Sequence, residues 1–189
     1  MKTRRLFVAV DPAEAVRDRV REAIERVRSL SARVKWVDPA AFHVTLAFLG
    51  ETEEERIEGI SAAIAATAAR HAPIEARFAG AGAFGGRRAR VLWVGMTEGA
   101  AALGRVGKDL AGALAPFGYA PDRAELVPHL TLARAGDRGG DPGLLACATA
   151  LGAEDFGPTR IEEMVLYQSE LTPKGARYTA LATLPFRGG

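Results

Sequence analysis

The stretch His43-Val44-Thr45-Leu46-Ala47 returns 86 residues later as His129-Leu130-Thr131-Leu132-Ala133. The chain has three histidines, and two of them head this pattern. Chance would produce such a pair roughly once in ten thousand chains of this composition, so we read it as a functional duplication. Each copy alternates polar and apolar positions, which is the period of a half-buried strand. His43 and Thr45 then share one face, with Val44 and Leu46 on the other. His129 and Thr131 repeat that phase against Leu130 and Leu132. The fold must therefore supply two equivalent strand positions, and the simplest way to use them is one shared cleft.

The rest of the chain alternates strand and helix patterns. Leu6 to Val10 reads as a buried strand. Asp11-Pro12-Ala13-Glu14 reads as a helix start, with Asp11 as cap. Val16, Val20, Ile24, Val27 and Leu30 mark one apolar helix face. The first histidine strand spans Phe42 to Leu49 and ends at Gly50. Thr52 to Glu55 reads as a second capping box, followed by a helix buried through Ile57, Ile60 and Ile64. Strands are predicted over Ile74–Ala79 and Val91–Val94, joined by a turn carrying Gly80, Gly82, Gly85 and Gly86. Leu103, Val106, Leu110 and Leu114 give a third helix. Asp141-Pro142 opens a short fourth one through Leu144, Leu145 and Ala148. A hairpin closes the chain: Glu162 to Leu171, a turn at Thr172-Pro173-Lys174-Gly175, then Tyr178 to Phe186.

Several neighbouring strands are joined by turns too short for a parallel crossover. The expected class is α+β: two pseudo-symmetric lobes, each an antiparallel sheet with helices on its outer side, and a cleft between them. No low-complexity linker divides residues 1–189, so they read as a single domain of two lobes.

With 48% hydrophobic and 25% charged residues, disorder is excluded. The net charge of +2 neither demands nor excludes an anionic partner, so any basic surface must be local. One cysteine, Cys147, precludes an internal disulfide framework and fits a reducing compartment. The apolar run near the N-terminus is too short for a signal peptide or a membrane span. The expectation is a cytoplasmic protein with no membrane contact and no obligate protein partner.

Two imidazoles and two hydroxyls on matching faces suit acid–base chemistry. The ordinary imidazole pKa is about 6.5, so near neutrality one of a pair can carry a proton while the other accepts one. Threonine hydroxyls add hydrogen bonds to oxyanions between them. A tetrahedral phosphate fits, since attacking and leaving oxygens lie on opposite sides. For either copy alone, a polar residue at the edge of a core is the simpler reading; the identical phase of two copies reverses that preference. Neither strand places an Asp, Glu or Cys on the histidine face, so no metal and no cofactor are expected.

The chain resembles the RNA 2′,3′-cyclic phosphodiesterase (2′-5′ RNA ligase) family within the 2H phosphoesterases, whose mark is two His-x-Thr/Ser motifs. The resemblance extends to Arg5-Leu6-Phe7-Val8-Ala9, Phe42 to Glu51, Val91-Leu92-Trp93-Val94-Gly95, Pro128 to Arg134 and Ser169 to Tyr178. It implies hydrolysis of a 2′,3′-cyclic phosphate on an RNA end or nucleotide to a 2′-phosphate, without metal. It further implies His43 as general acid on the 3′ oxygen and His129 as general base on water. Thr45 and Thr131 would hold the non-bridging oxygens, and Arg134 would contact the phosphate. Strict alternation puts Arg134 on the face opposite His129, so a strand end or bulge is required. The alternatives are the reverse reaction, a 2′-5′ RNA ligase, and a non-catalytic RNA-end binding module.

Smaller signals have ordinary readings beside functional ones. Arg87, Arg88 and Arg90 form a basic cluster, either RNA-contacting or simply solvated, and Lys174 and Arg177 share that ambiguity. Phe48, Trp36 and Trp93 are read as core packing, His71 as a helix C-cap and Cys147 as a small buried residue.

Overall fold

Residues 2–31, 33–121, 126–136, 139–172 and 175–188 are described by the computed structural model. The elements run β1 (Thr3–Val10), α1 (Glu14–Val27), β2 (Val34–Trp36), β3 (Val44–Glu53), α2 (Ile57–Ala68), β4 (Ile74–Phe84) and β5 (Val91–Glu98). They continue with α3 (Ala100–Leu114), β6 (His129–Ala135), α4 (Gly143–Leu151), β7 (Asp155–Ile161), β8 (Glu163–Thr172) and β9 (Gly175–Pro185). The strands form two wholly antiparallel sheets, one ordered β3-β1-β8-β9 and the other β2-β6-β5-β4-β7. Helix α2 packs on the first sheet, α1 and α4 pack on the second, α3 lies beside α2 and touches both sheets, and β3 adjoins β6 across the seam. The α+β architecture expected from the sequence is present, with each histidine pattern on its own sheet.

The apolar periodicity anchors the helices. Val16, Val20, Ile24 and Val27 of α1 and Leu103, Val106, Leu110 and Leu114 of α3 are all buried. Each such side chain contributes about 1.5–3 kcal/mol of burial. Leu30 departs from the pattern: it lies in a 3-10 turn after α1 and is 46% exposed.

Three local expectations are corrected by longer-range partners. Asp11 does not cap α1; it accepts a hydrogen bond from the Tyr167 hydroxyl (2.7 Å), while Thr159 Oγ1 accepts from Ala13 N at the helix start (2.7 Å). Thr52 does not cap α2, because β3 runs on to Glu53 and a 3-10 turn over Glu54–Arg56 intervenes. Gly80 and Gly82 sit inside β4, which continues to Phe84, and only Gly85 and Gly86 belong to the turn. Local pattern does not predict strand β7, Asp155-Phe156-Gly157-Pro158-Thr159-Arg160-Ile161. Gly157-Pro158 reads as a breaker, yet β7 pairs only with β4, and an edge strand tolerates proline. The turn residues Pro173 and Lys174 lie outside the described residues.

Candidate active site

Each histidine is held by the chain two residues before it. His43 Nδ1 lies 2.8 Å from the Ala41 carbonyl and His129 Nδ1 lies 2.7 Å from the Val127 carbonyl. A carbonyl oxygen only accepts, so Nδ1 carries the proton in both rings. That leaves Nε2 of each neutral imidazole as the basic nitrogen. His43 Nε2 is 3.1 Å from Thr45 Oγ1, so the hydroxyl donates to it when the ring is neutral.

The strands then break alternation at the same place. In β6, Thr131 faces Trp93 and Ala133 faces Leu92, so Leu132 is an extra residue. Leu132 and Ala133 are both fully buried. This bulge flips the parity, and Arg134 returns to the face of His129 and Thr131. In β3, Thr45 faces Ala9 and Ala47 faces Val8, so Leu46 is the extra residue. Leu46 and Ala47 are both buried, and the next residue, Phe48, emerges 47% exposed. The reading of Phe48 as core is therefore corrected: the bulge places it on the face of His43 and Thr45, where the Arg5 guanidinium lies 4.9 Å from its ring centre.

Thr45, Phe48, His129 and Arg134 line one cleft of about 1330 Å³. His43 reaches it through Thr45, and the Arg134 charge acts on His43. Thr131 is paired in register with Trp93, another lining residue. Of the five sequence-derived candidates, Thr45, His129 and Arg134 line this cleft, while His43 adjoins it through Thr45 and Thr131 through its strand partner Trp93.

Each imidazole has an aromatic wall. Phe7 lies 4.8 Å and Tyr178 5.2 Å from the His43 ring, centre to centre. Phe84 lies 5.1 Å and Trp93 6.3 Å from His129. Trp93 is thus part of the cleft wall rather than of the core. Two glycines make room for it: a Cβ on Gly82 would come within 2.3 Å of the indole, and one on Gly95 within 3.3 Å. The indole Nε1 is buried with no hydrogen-bond partner among the described residues, so the ring is kept for shape rather than for polar bonding.

Behind His43 lies a charged layer that pattern reading misses. Arg17 Nη1 donates to the Pro39 and Ala40 carbonyls (3.0 and 3.2 Å), and Nη2 is 3.7 Å from Asp11 Oδ1. Arg17 thereby grips the 3-10 turn Pro39–Ala41, whose last carbonyl holds His43. Burial pushes the His43 imidazole below its ordinary pKa; the Ala41 carbonyl and Asp11 oppose this, and Arg17 and Arg134 add to it. Tyr167, desolvated and bonded to Asp11, is held well above the usual phenol range. The only sequence signal for Arg17 is a charge beside the apolar stripe of α1, which any surface helix also shows.

The smaller signals divide. Arg90 lines the cleft, whereas Arg87 and Arg88 are exposed and do not. Arg177 is ion-paired with Glu170. Trp36 is half-buried against the core. His71 does not cap with its ring; its Nε2 is 3.0 Å from Asp109 Oδ2 on α3. Cys147 is buried, and burial pushes its thiol up. No group of three or more His, Cys, Asp or Glu suited to hold a metal ion occurs among the described residues. No described helix is long and apolar enough to cross a membrane.

The chain is similar to known proteins over nearly its whole length. The RNA 2′,3′-cyclic phosphodiesterase of Methanothermobacter thermautotrophicus is 35% identical over 93% of this chain and 95% of its own. The protein of the same name from Aquifex aeolicus is 33% identical over 96% of each. Among solved structures, TT0787 of Thermus thermophilus superposes with a TM-score of 0.82 at 31% identity, covering 97% of this chain and 98% of its own. Escherichia coli LigT, at 24% identity and a TM-score of 0.78, shares the fold over 98% of this chain and 99% of its own. A model of the 2′-5′ RNA ligase superfamily matches residues 7–172, and the chain belongs to that superfamily.

Proposed function

We propose that this protein hydrolyses 2′,3′-cyclic phosphates at RNA ends to 2′-phosphates, without metal, in the cytoplasm. The observation that carries the reading is the pair of Nδ1-anchored histidines, with His129, Arg134 and the Thr45 hydroxyl that meets His43 Nε2 all at one cleft. The names of the relatives, with identity over nearly the whole chain, support the same activity.

In this mechanism His129 Nε2 takes a proton from water as the water attacks phosphorus. The P–O3′ bond breaks, and protonated His43 Nε2 gives its proton to the departing 3′ oxygen. Thr45 and Thr131 donate hydrogen bonds to the non-bridging oxygens, and Arg134 offsets their charge. The His43 pKa is depressed in the free protein, so a bound phosphate anion must supply the charge that favours its proton. Substrate binding and loading of the acid are thereby coupled. Phe48 supplies an aromatic face for the terminal base.

The test is turnover of a 2′,3′-cyclic-phosphate RNA end in EDTA, with product ends identified. Wild type should release a 2′-phosphate. His43→Ala and His129→Ala should each lose about 10²–10⁴-fold in kcat while remaining folded by circular dichroism. An intact substrate with wild type sinks the proposal. Loss of activity in EDTA alone sinks the metal-free mechanism. If both variants bind RNA less tightly but no turnover exists to lose, the cleft is a binding module.

A further inference from the structure

The cleft is larger than one phosphate and one base require. Its volume of about 1330 Å³ exceeds the roughly 300–1,000 Å³ of ordinary small-molecule sites. The extra space runs along α3, from Ala101 past Gly104 and Lys108 to Ala111. Those positions follow one face of the helix over about 15 Å. The floor is low because the side chains are small, and a Cβ on Gly104 would meet nothing within 4 Å.

Among the described residues, the charge in this cleft is one-sided. Arg90, Arg105, Lys108 and Arg134 line it, and no Asp or Glu does among the described lining residues. The whole chain has 25 Lys and Arg against 23 Asp and Glu, so that bias is local rather than inherited. Elsewhere arginines such as Arg21, Arg56 and Arg160 are tied to acidic neighbours. None of the four cleft cations has an ion pair among the described residues. Asp109, next in sequence to Lys108, is engaged by His71. A low-floored groove lined by cations of one sign focuses potential on an extended anion.

We infer that α3 carries a second phosphate-binding subsite, in which Arg105 and Lys108 hold the backbone of the RNA strand upstream of the reacting 3′ end. The substrate class is then a single-stranded oligonucleotide rather than a cyclic mononucleotide. At about 3.4 Å per stacked nucleotide, the α3 arm takes about four. Arg105 and Lys108 sit three residues apart on the helix, so their side chains are neighbours and can serve successive phosphates. This rests on the proposed activity for the identity of the reacting end, but not for the polyanion that the arm would hold.

The experiment compares kcat/KM for a 2′,3′-cyclic mononucleotide with that for a pentanucleotide RNA ending in a 2′,3′-cyclic phosphate. Wild type should favour the pentamer by at least tenfold. R105A/K108A should reduce that ratio at least tenfold; both sites are exposed and alanine favours helix, so the fold is kept. G104E, which adds bulk and negative charge to the floor, should reduce it as well. The salt dependence for the pentamer should weaken by about 1.4 in log–log slope, about 0.7 for each lost phosphate contact. Equal wild-type efficiency on the two substrates, or an unchanged ratio in the double variant, overturns the subsite while leaving the proposed activity intact. If wild type turns over neither substrate, the activity fails, and fluorescence anisotropy with a labelled octamer RNA decides the subsite. At least tenfold weaker binding by R105A/K108A upholds it; equal binding overturns it.

Discussion

His43 and His129 anchor Nδ1 on the carbonyl two residues back and precede a bulge at a Leu-Ala pair, but their surroundings differ. Behind His43 stand an arginine, an aspartate and a tyrosine hydroxyl in one hydrogen-bonded layer. Aromatic rings flank both imidazoles, Phe7 and Tyr178 at His43 and Phe84 and Trp93 at His129. The residue that each bulge delivers to the cleft also differs: Phe48 in one lobe, Arg134 in the other. Duplication of the backbone device supplies the paired nitrogens. Divergence of what surrounds it gives one lobe an aromatic face and the other a cation.

The comparison is broken most severely at the residues after the bulges. Arg134→Ala removes the proposed charged partner of the phosphate, at about 1.5–3 kcal/mol, so kcat/KM should fall about 10- to 150-fold, mostly through kcat. Phe48→Ala removes the proposed stacking face, worth about 1–3 kcal/mol, and should act mostly through KM. Steady-state kinetics of both variants separates these effects; identical kcat and KM changes would mean the two positions do not differ in role.

A smaller effect is expected at the charged layer. Arg17→Ala frees the Pro39–Ala41 turn and removes a charge that holds the His43 pKa down, leaving Asp11 to raise it. In the proposed role of general acid, His43 must be protonated, and the free protein's kcat/KM should then decline as pH rises through its depressed pKa. In Arg17→Ala that decline should move to higher pH, with Arg17→Lys intermediate. A purely structural role would lower kcat/KM without moving the profile.

The smallest effect is on stability. The His43 pKa is lowered in the folded protein, so the unfolded chain binds that proton more readily. The His43 contribution is fully present above about pH 6.5, the ordinary value, and is lost as pH falls through the folded pKa. Urea unfolding at pH 7 and pH 5 should show less acid destabilisation in His43→Gln than in wild type. Equal losses would mean that burial does not depress this imidazole.

Much of the candidate site is legible because it depends on local rules. The period of two puts His43 with Thr45 and His129 with Thr131, and the period of 3.6 buries α1 and α3. The caps fail because Asp11 and Ala13 find their partners 156 and 146 residues away, in Tyr167 and Thr159. Strand β7 escapes because local propensity cannot report that a Gly-Pro segment lies at a sheet edge.

By itself the sequence determined the duplicated histidine–threonine phase, the antiparallel α+β class and the superfamily resemblance, all carried by short periodic patterns. Only the tertiary structure decided that Phe48 and Arg134 face the cleft, because a bulge exists only relative to a paired strand. It alone decided the Arg17 grip on the His43 turn and the gathering of Arg90 and Arg134 with the α3 pair Arg105 and Lys108, since α1, α3, β6 and the segment before β5 meet only in the fold. Charges remote in sequence act together only once the fold brings them within a Debye length of about 10 Å.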